Sequence, residues 1–308
     1  MLGQSITPNR YRRLVAEARQ SPQRILEFDK EQFRRDYNRR AFQFNHNLSN
    51  HPKFQLEALF DLCRRMPEAH IKYRLGEVPV DAEFDSSLER YRGGLTLDEA
   101  LDNFLDKRVY IAVYNPEFDS EYKPVIERIL EEISYHTEAM DPDINWYSTY
   151  LFISSVGSVT PFHMDREMNF LLQIRGTKEA KLWGRLDDRV MSSAARDTLL
   201  ANRKKTRPVY DVSLEPYADV FELRPGTGIH HPFIAPHLIT TRSEISISLA
   251  VTYRTRLSDI WTDAHYYNYL GRKLGMSPAT VGLDVNDDHR KAGIIRTLRS
   301  LKRAIRPG

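Results

Sequence analysis

In the run TPFHMD, from Thr160 to Asp165, a histidine and an aspartate stand two residues apart. If that run is extended, His163 and Asp165 leave the same face, so imidazole and carboxylate converge on one point. A third donor is on offer in the run PGTGIHHPFIAPH, where His230, His231 and His237 compete. Two histidines and one carboxylate on one face of a metal leave the opposite positions open, the donor set that suits non-haem Fe(II) oxygen chemistry. No thiolate is needed, which agrees with Cys63 being the single cysteine. A bare His-x-Asp pair is a weak signal, and its plain alternative is a packing or surface pair.

Two positions beyond the pair strengthen it. Asn169 stands six residues past His163, and Lys178 fifteen past it, after the turn at Arg175-Gly176. In the strand that follows, Lys178, Ala180 and Leu182 share one face, while Glu179, Lys181 and Trp183 share the other. A lysine on an apolar face either snorkels to the rim or meets an anion, because an unpaired buried charge is costly. An anionic cosubstrate beside the metal would be such a partner.

The elements that must hold these residues read as helices, then an antiparallel β region, then helices. Thr7 and Pro8 form an N-cap and first-turn pair for a helix reaching about Gln20, and Pro22 restarts helix. A further helix from about Pro52 carries Leu56, Leu59, Phe60, Cys63 and Met66 at three- and four-residue spacing, so Cys63 reads as core packing. Thr96 to Glu99 is a capping-box sequence. Val109 to Val113 alternates as a strand, and Tyr122 to Thr137 reads as helix. From Tyr147 to Tyr253 the chain is strand-like, bounded by Gly, Pro and Asp turns, with helix only over Ser192 to Arg203. Helix returns after Arg256 and again near Asp288 to Arg303.

The run TPFHMDREMNFLLQIRGTKEAKLW resembles the metal- and cosubstrate-binding segment of jumonji-C-type Fe(II)/2-oxoglutarate oxygenases, in particular the HIF asparaginyl hydroxylase group and bacterial cupin-like proteins. The resemblance covers about residues 145–255. It implies a mainly β fold with flanking helices, built on a double-stranded β-helix (jelly roll, cupin-like) core. Its implied divisions are an N-terminal helical region over 1–108, the barrel over 109–255 and C-terminal helices over 256–308. It implies that His163 and Asp165 ligate Fe(II), that Thr160 and Lys178 hold the distal carboxylate of 2-oxoglutarate, and that Asn169 lies near both. Family members carry a turn, a proline, about four residues and then the ligand histidine before a closing strand, so the resemblance implies His237 as the third ligand, with His231 as the alternative. His230 and His231 then read either as a solvated turn pair or as pocket-lining. Tyr150 stands where relatives carry a polar residue reaching the cosubstrate. Ser248 lies on the small-residue face of the closing strand, and its contact with cosubstrate is a further expectation. The reaction implied takes O2 and converts 2-oxoglutarate to succinate and CO2 while hydroxylating an unactivated C–H bond.

Composition narrows the partners less. The chain has 308 residues and 45 Lys+Arg against 42 Asp+Glu, a net charge of +3. That mild excess gives no footprint for nucleic acid. Lys302, Arg303 and Arg306, like Arg10, Arg12 and Arg13, read as solvated faces. No apolar run approaches the roughly 20 residues of a membrane span, and the first residues lack a signal peptide's apolar stretch. A cytoplasmic protein without a membrane partner is the expectation. The substrate is a peptide or protein side chain or a small metabolite. Trp261, Tyr266, Tyr267 and Tyr269 crowd the segment after the barrel, reading as packing on its outer face or as a homodimer contact through the C-terminal helices. Two rival readings stand: a catalytically degenerate jumonji-like binding or regulatory module, and a non-oxidative metal-dependent cupin enzyme.

Overall fold

The computed structural model describes residues 3–202 and 209–305, so Arg203 and Arg306 lie outside the described residues. Thirteen strands form two antiparallel sheets among those residues. They are β1 (Gln4–Ser5), β2 (Leu26–Glu27), β3 (Phe42–His46), β4 (Ile71–Leu75), β5 (Val109–Tyr114), β6 (Ile144–Ser155) and β7 (Val159–His163). After these come β8 (Met168–Arg175), β9 (Lys178–Leu182), β10 (Asp219–Leu223), β11 (Thr227–His231), β12 (His237–Thr241) and β13 (Ile245–Thr255). The larger sheet runs β2-β3-β11-β8-β13-β6-β5-β4, with β1 on β6, and the smaller runs β10-β9-β12-β7. From β6 onward the chain crosses between sheets at nearly every connection. That path is a double-stranded β-helix of the jelly-roll, cupin-like type, and it closes with β13 between β6 and β8.

Local sequence explains why the elements sit where they do. Burial along β9 alternates, with Lys178, Ala180 and Leu182 turned inward, as the two-residue period requires. The turn ahead of it depends on Gly176, whose φ of +68° belongs to glycine and whose added Cβ would lie 2.0 Å from the Ile245 carbonyl oxygen. Leu171, Ala180, Leu182, Leu223, Ile229, Ile239 and Ala250 pack the barrel interior into an apolar plug. The other face of the large sheet is covered by helices, chiefly Pro8–Gln20 and Lys123–Thr137. Thr7 and the Thr96–Glu99 capping box start their helices as the sequence indicates. Ser192 caps the helix Ser193–Ala201 inside the β region.

The first hundred residues depart from the helical expectation. Strands β1 to β4 belong to the large sheet: β3 pairs with β11, and β4 pairs with β5 across the 108/109 boundary. Phe42, Phe44 and His46 face inward while Gln43 and Asn45 face out, a clean alternation over only five residues. So short a period is overridden in a sequence reading by the helical patterns on either side, because the sheet edge that stabilises it lies far along the chain. Pro22 likewise leads into β2, held by Glu132, whose buried carboxylate accepts the Ile25 and Leu26 N–H groups.

Cys63 lies in the helix Leu56–Arg65, fully buried, and burial pushes its thiol up to about 12. A thiol reagent at pH 8 is therefore expected to leave Cys63 unmodified in the native protein and to label one thiol only after denaturation. Fast labelling of the native protein contradicts the packing. After the barrel, Thr255 caps the helix Arg256–Lys273, and Trp261 packs on Phe233. Tyr266, Tyr267 and Tyr269 on that helix are half-buried. No helix among the described residues is long and apolar enough to cross a membrane.

Candidate metal centre

The centre is made by one strand ending beside another beginning. His163 closes β7, His237 opens β12, and the two are cross-strand partners in the antiparallel pairing. Their rings lie 4.1 Å apart between centroids. Asp165 is not on the strand, since β7 stops at His163; the loop after it turns the carboxylate back towards the two imidazoles. The convergence inferred from an extended run is observed, but a strand end and a loop produce it.

Hydrogen bonds aim the rings. His163 Nδ1 is 2.8 Å from the Pro161 carbonyl oxygen, and His237 Nδ1 is 3.0 Å from that of Ala235. A carbonyl only accepts, so in each ring Nδ1 carries the proton and Nε2 presents its lone pair. Both Nε2 atoms face the carboxylate, at 3.8 Å from one Asp165 oxygen and 3.9 Å from the other. One donor atom from each of His163, Asp165 and His237 lies within 4.8 Å of the others. Second-sphere carbonyls that fix the tautomer of each histidine are what a metal site requires. The ring of Phe84, from the helix Phe84–Arg90, stacks on His163 at 3.7 Å with planes 4° apart and locks its rotation.

His230 and His231 are neither solvated nor in a turn, which corrects that reading: both end β11 and are buried. The antiparallel pairing of β11 with β3 and β8 encloses them. His230 is structural. Its Nε2 accepts from the Asn38 N–H, its Nδ1 donates to the Asn169 carbonyl, and burial pulls its pKa down to about 3. His231 faces the cavity, with its ring 4.6 Å from that of His237, and stands outside the three-donor set. Burial first, then the charge of His237, pulls its pKa well below the usual imidazole value, and neither ring nitrogen has a hydrogen-bond partner among the described residues. Asn169, its cross-strand partner, also lines the cavity and leaves its Oδ1 unsatisfied.

The cavity has a volume of about 230 Å³. Its floor is Leu171, Ile239 and Ala250, the upper surface of the apolar plug. Lys178 enters its wall 3% exposed, with Nζ 5.7 Å from the Phe152 ring centroid, and forms no ion pair among the described residues. Burial alone draws its pKa down to about 7. Thr160, on β7, lines the same cavity and meets the phenol of Tyr110. Tyr150 packs edge-on to Tyr114 at 5.0 Å, and burial pushes its hydroxyl up to about 12. Glu167 is also in the wall, its carboxyl raised to about 7 by burial and then by the charge of Asp165.

Ser248 does not line the cavity. Its position on β13 has the same parity as Ala250 and Thr252, which do, but its hydroxyl lies deeper and donates to Gln173 Oε1 at 2.8 Å. Gln173 in turn donates to the Arg175 and Gly176 carbonyls, so the pair braces the turn that sets Lys178.

Phe84, Tyr110, Tyr114 and Glu167 were not visible as site residues in the sequence. Phe84 comes from the segment preceding the barrel, and the tyrosines lie on β5 at the start of the 109–255 span, where only the pairing of β5 with β6 brings them in. Alternation in Val109 to Tyr114 gave the strand; nothing local gave its neighbour.

No family model matches the chain, and no curated protein matches it. Among solved structures the chain is similar to Escherichia coli YcfD, at 16% identity over 87% of this chain and 67% of that one, with a TM-score of 0.47. A structure of that ribosomal oxygenase in complex with cobalt and 2-oxoglutarate matches at 16% identity, 88% and 67% coverage and a TM-score of 0.45. The DMSP lyase DddQ from Ruegeria pomeroyi matches at 16% identity over 35% of this chain and 38% of that one, with a TM-score of 0.22. The chain thus spans about two thirds of the length of the YcfD structures.

Proposed function

We propose that the protein is an Fe(II)- and 2-oxoglutarate-dependent oxygenase that hydroxylates an unactivated C–H bond of a peptide or protein side chain or a small metabolite. One observation carries the reading. The donors of His163, Asp165 and His237 converge in a cavity whose wall also holds Lys178, buried without an anionic partner among the described residues. Two imidazoles and one carboxylate suit Fe(II) with positions left open. A buried ammonium suits an anionic cosubstrate, which the degenerate-module reading has no use for.

Bound together, Fe(II) and 2-oxoglutarate supply the activation of O2, with succinate and CO2 formed and one oxygen atom delivered to the substrate. The chain's residues hold the reactants. His163, Asp165 and His237 take the metal, with tautomers preset by the Pro161 and Ala235 carbonyls. Lys178, Thr160 and the Tyr110 phenol receive the far carboxylate of 2-oxoglutarate. Leu171, Ile239 and Ala250 exclude water below it. The His231 imidazole, outside the three-donor set, and the Asn169 amide would offer hydrogen bonds inside the cavity. Tyr114, Tyr150 and Glu167 remain to face substrate, on a wall that mixes aromatic surface with one carboxyl.

The test is succinate formation from 2-oxoglutarate by Fe(II)-loaded protein, with candidate peptides and metabolites screened for stimulation and for a gain of one oxygen in product mass. Substrate-stimulated succinate with that mass gain supports the proposal. Metal binding without any conversion of 2-oxoglutarate, even uncoupled, overturns it in favour of a non-oxidative enzyme.

A further inference from the structure

His231 carries two ring nitrogens that the fold itself does not use. The residue is 2% exposed, and neither Nδ1 nor Nε2 has a hydrogen-bond partner among the described residues. Its neighbour His230 is also buried but engages both nitrogens, with the Asn38 N–H and the Asn169 carbonyl. A buried imidazole without partners is costly, so the pair of idle nitrogens calls for a ligand. Its surroundings put the ring in the metal-centre cavity. It lines that cavity, its ring lies 4.6 Å from the His237 ring, and its cross-strand partner Asn169 lines the same wall.

Strand register fixes its level in the barrel. On the large sheet His231, Asn169 and Thr252 are in register across β11, β8 and β13, which makes a polar row. The next inward-facing row is apolar: Ile229, Leu171 and Ala250. On the small sheet His163 and His237 form one row, Thr160, Ile239 and Ala180 the next, and Lys178 with Thr241 the one after. Ile229, Leu171 and Ala250 pack with Ile239 and Ala180 in one cluster, so the second rows of the two sheets face each other. The polar row therefore stands at the level of the metal ligands, and Lys178 belongs to the level beneath the shared apolar row. Within the polar row Thr252 is satisfied, donating to the Ser148 carbonyl, whereas the His231 nitrogens and the Asn169 Oδ1 are not. The cavity thus has a buried ammonium at one end and unsatisfied hydrogen-bonding groups at the other.

We propose that His231 donates a hydrogen bond to the 2-oxo-acid end of 2-oxoglutarate, opposite the carboxylate that Lys178 receives. The inference rests on the oxygenase reading and adds a cosubstrate-binding residue to it. An extended diacid anchored at Lys178 passes the apolar row with its methylene carbons and brings its oxo-acid oxygens to the level of His231. Neutral or protonated, an imidazole keeps at least one N–H, so the donor is present in either state. An aliphatic side chain, like that of Ile229 one row away, would fill the wall there without orienting anything.

The experiment is calorimetric titration of the Co(II)-loaded full chain with 2-oxoglutarate. His231→Leu is expected to weaken binding roughly 10- to 100-fold, the loss of a hydrogen bond to a charged group, with Co(II) affinity unchanged. His231→Gln, which restores an N–H donor, is expected to recover most of that loss. The end of the cosubstrate that is contacted is read with 2-oxopentanoate, which lacks the far carboxylate, through its effect on the Co(II) absorption. His231→Leu should weaken it by a similar factor, whereas Lys178→Ala should leave it unchanged. An unaltered 2-oxoglutarate Kd in His231→Leu overturns the inference and leaves the oxygenase reading standing. Equal weakening in the Leu and Gln variants also overturns it, because the side chain then only packs. Loss of Co(II) in His231→Leu overturns it by making the imidazole a ligand. Weakening of 2-oxopentanoate by Lys178→Ala but not by His231→Leu overturns it by placing His231 away from the oxo-acid end. If the wild-type Co(II) protein binds no 2-oxoglutarate, the inference and the oxygenase reading fall together.

Discussion

Asp165→Ala is expected to lose metal binding and substrate-coupled succinate formation together, with the fold intact. The carboxylate supplies one donor of three, and it is also the sole anionic group in that set. Loss of an outer-sphere partner costs roughly 10–100-fold in metal affinity or activity, so loss of a ligand is expected to cost more than about 100-fold. Its side chain is part-exposed in a loop, so removing it creates no core cavity, and the thermal midpoint without metal should stay close to wild type. The measurement is Co(II) titration followed by its d–d absorption, alongside succinate release with Fe(II). His163→Ala and His237→Ala are expected to behave alike, whereas His231→Ala should retain the metal because its ring stands outside the three-donor set. A protein that keeps turnover without Asp165, or that loses metal with His231 and keeps it without His237, refutes the ligand assignment.

That contrast between His231 and His237 marks where the sequence stops being informative. Both are buried histidines in one short run, and spacing to a proline favours His237 without excluding its neighbour. What separates them is pairing: β12 sets His237 opposite His163, whereas β11 sets His231 opposite Asn169. Pairing between distant segments leaves no local trace. The inward face of β9 was legible because a period of two operates within five residues, and it put Lys178 on the buried side before any partner strand was known. Ser248 shows the limit of the same argument, since parity assigns a face but not a depth, and depth decides whether a hydroxyl meets the cavity or Gln173. Phe84 enters from a segment read as accessory and Tyr110 from a barrel strand whose neighbour had no local signal, through stacking and sheet pairing that only the assembled fold provides.

Lys178 yields the second large effect, and its sign follows from its burial. The ammonium belongs on an inward face with Ala180 and Leu182, and burial alone lowers its pKa from 10.5 to about 7. Between those values the unfolded chain binds a proton that the folded chain does not. The stability of the ligand-free protein therefore rises with pH across that window, by up to about 1.4 kcal/mol per unit from this group. Lys178→Met should flatten that rise and stabilise the ligand-free protein at neutral pH, while removing the cation from the cavity. Anion binding runs the other way. If, as proposed, a 2-oxoglutarate carboxylate pairs with the protonated amine, binding above pH 7 must take up a proton and the apparent Kd should climb roughly tenfold per pH unit. Below pH 7 it should be flat with respect to this group. Lys178→Ala should weaken 2-oxoglutarate by about 30-fold or more, from the ~2–5 kcal/mol that loss of one partner in a buried charge pair costs. Co(II) affinity should be little changed, because Lys178 is not in the donor set. Calorimetric Kd values for 2-oxoglutarate from pH 6 to 9, on the metal-loaded protein and its Lys178→Ala variant, decide the matter. A Kd that is independent of pH in the wild type, or unaltered by the substitution, removes Lys178 from the cosubstrate site while leaving the metal centre standing.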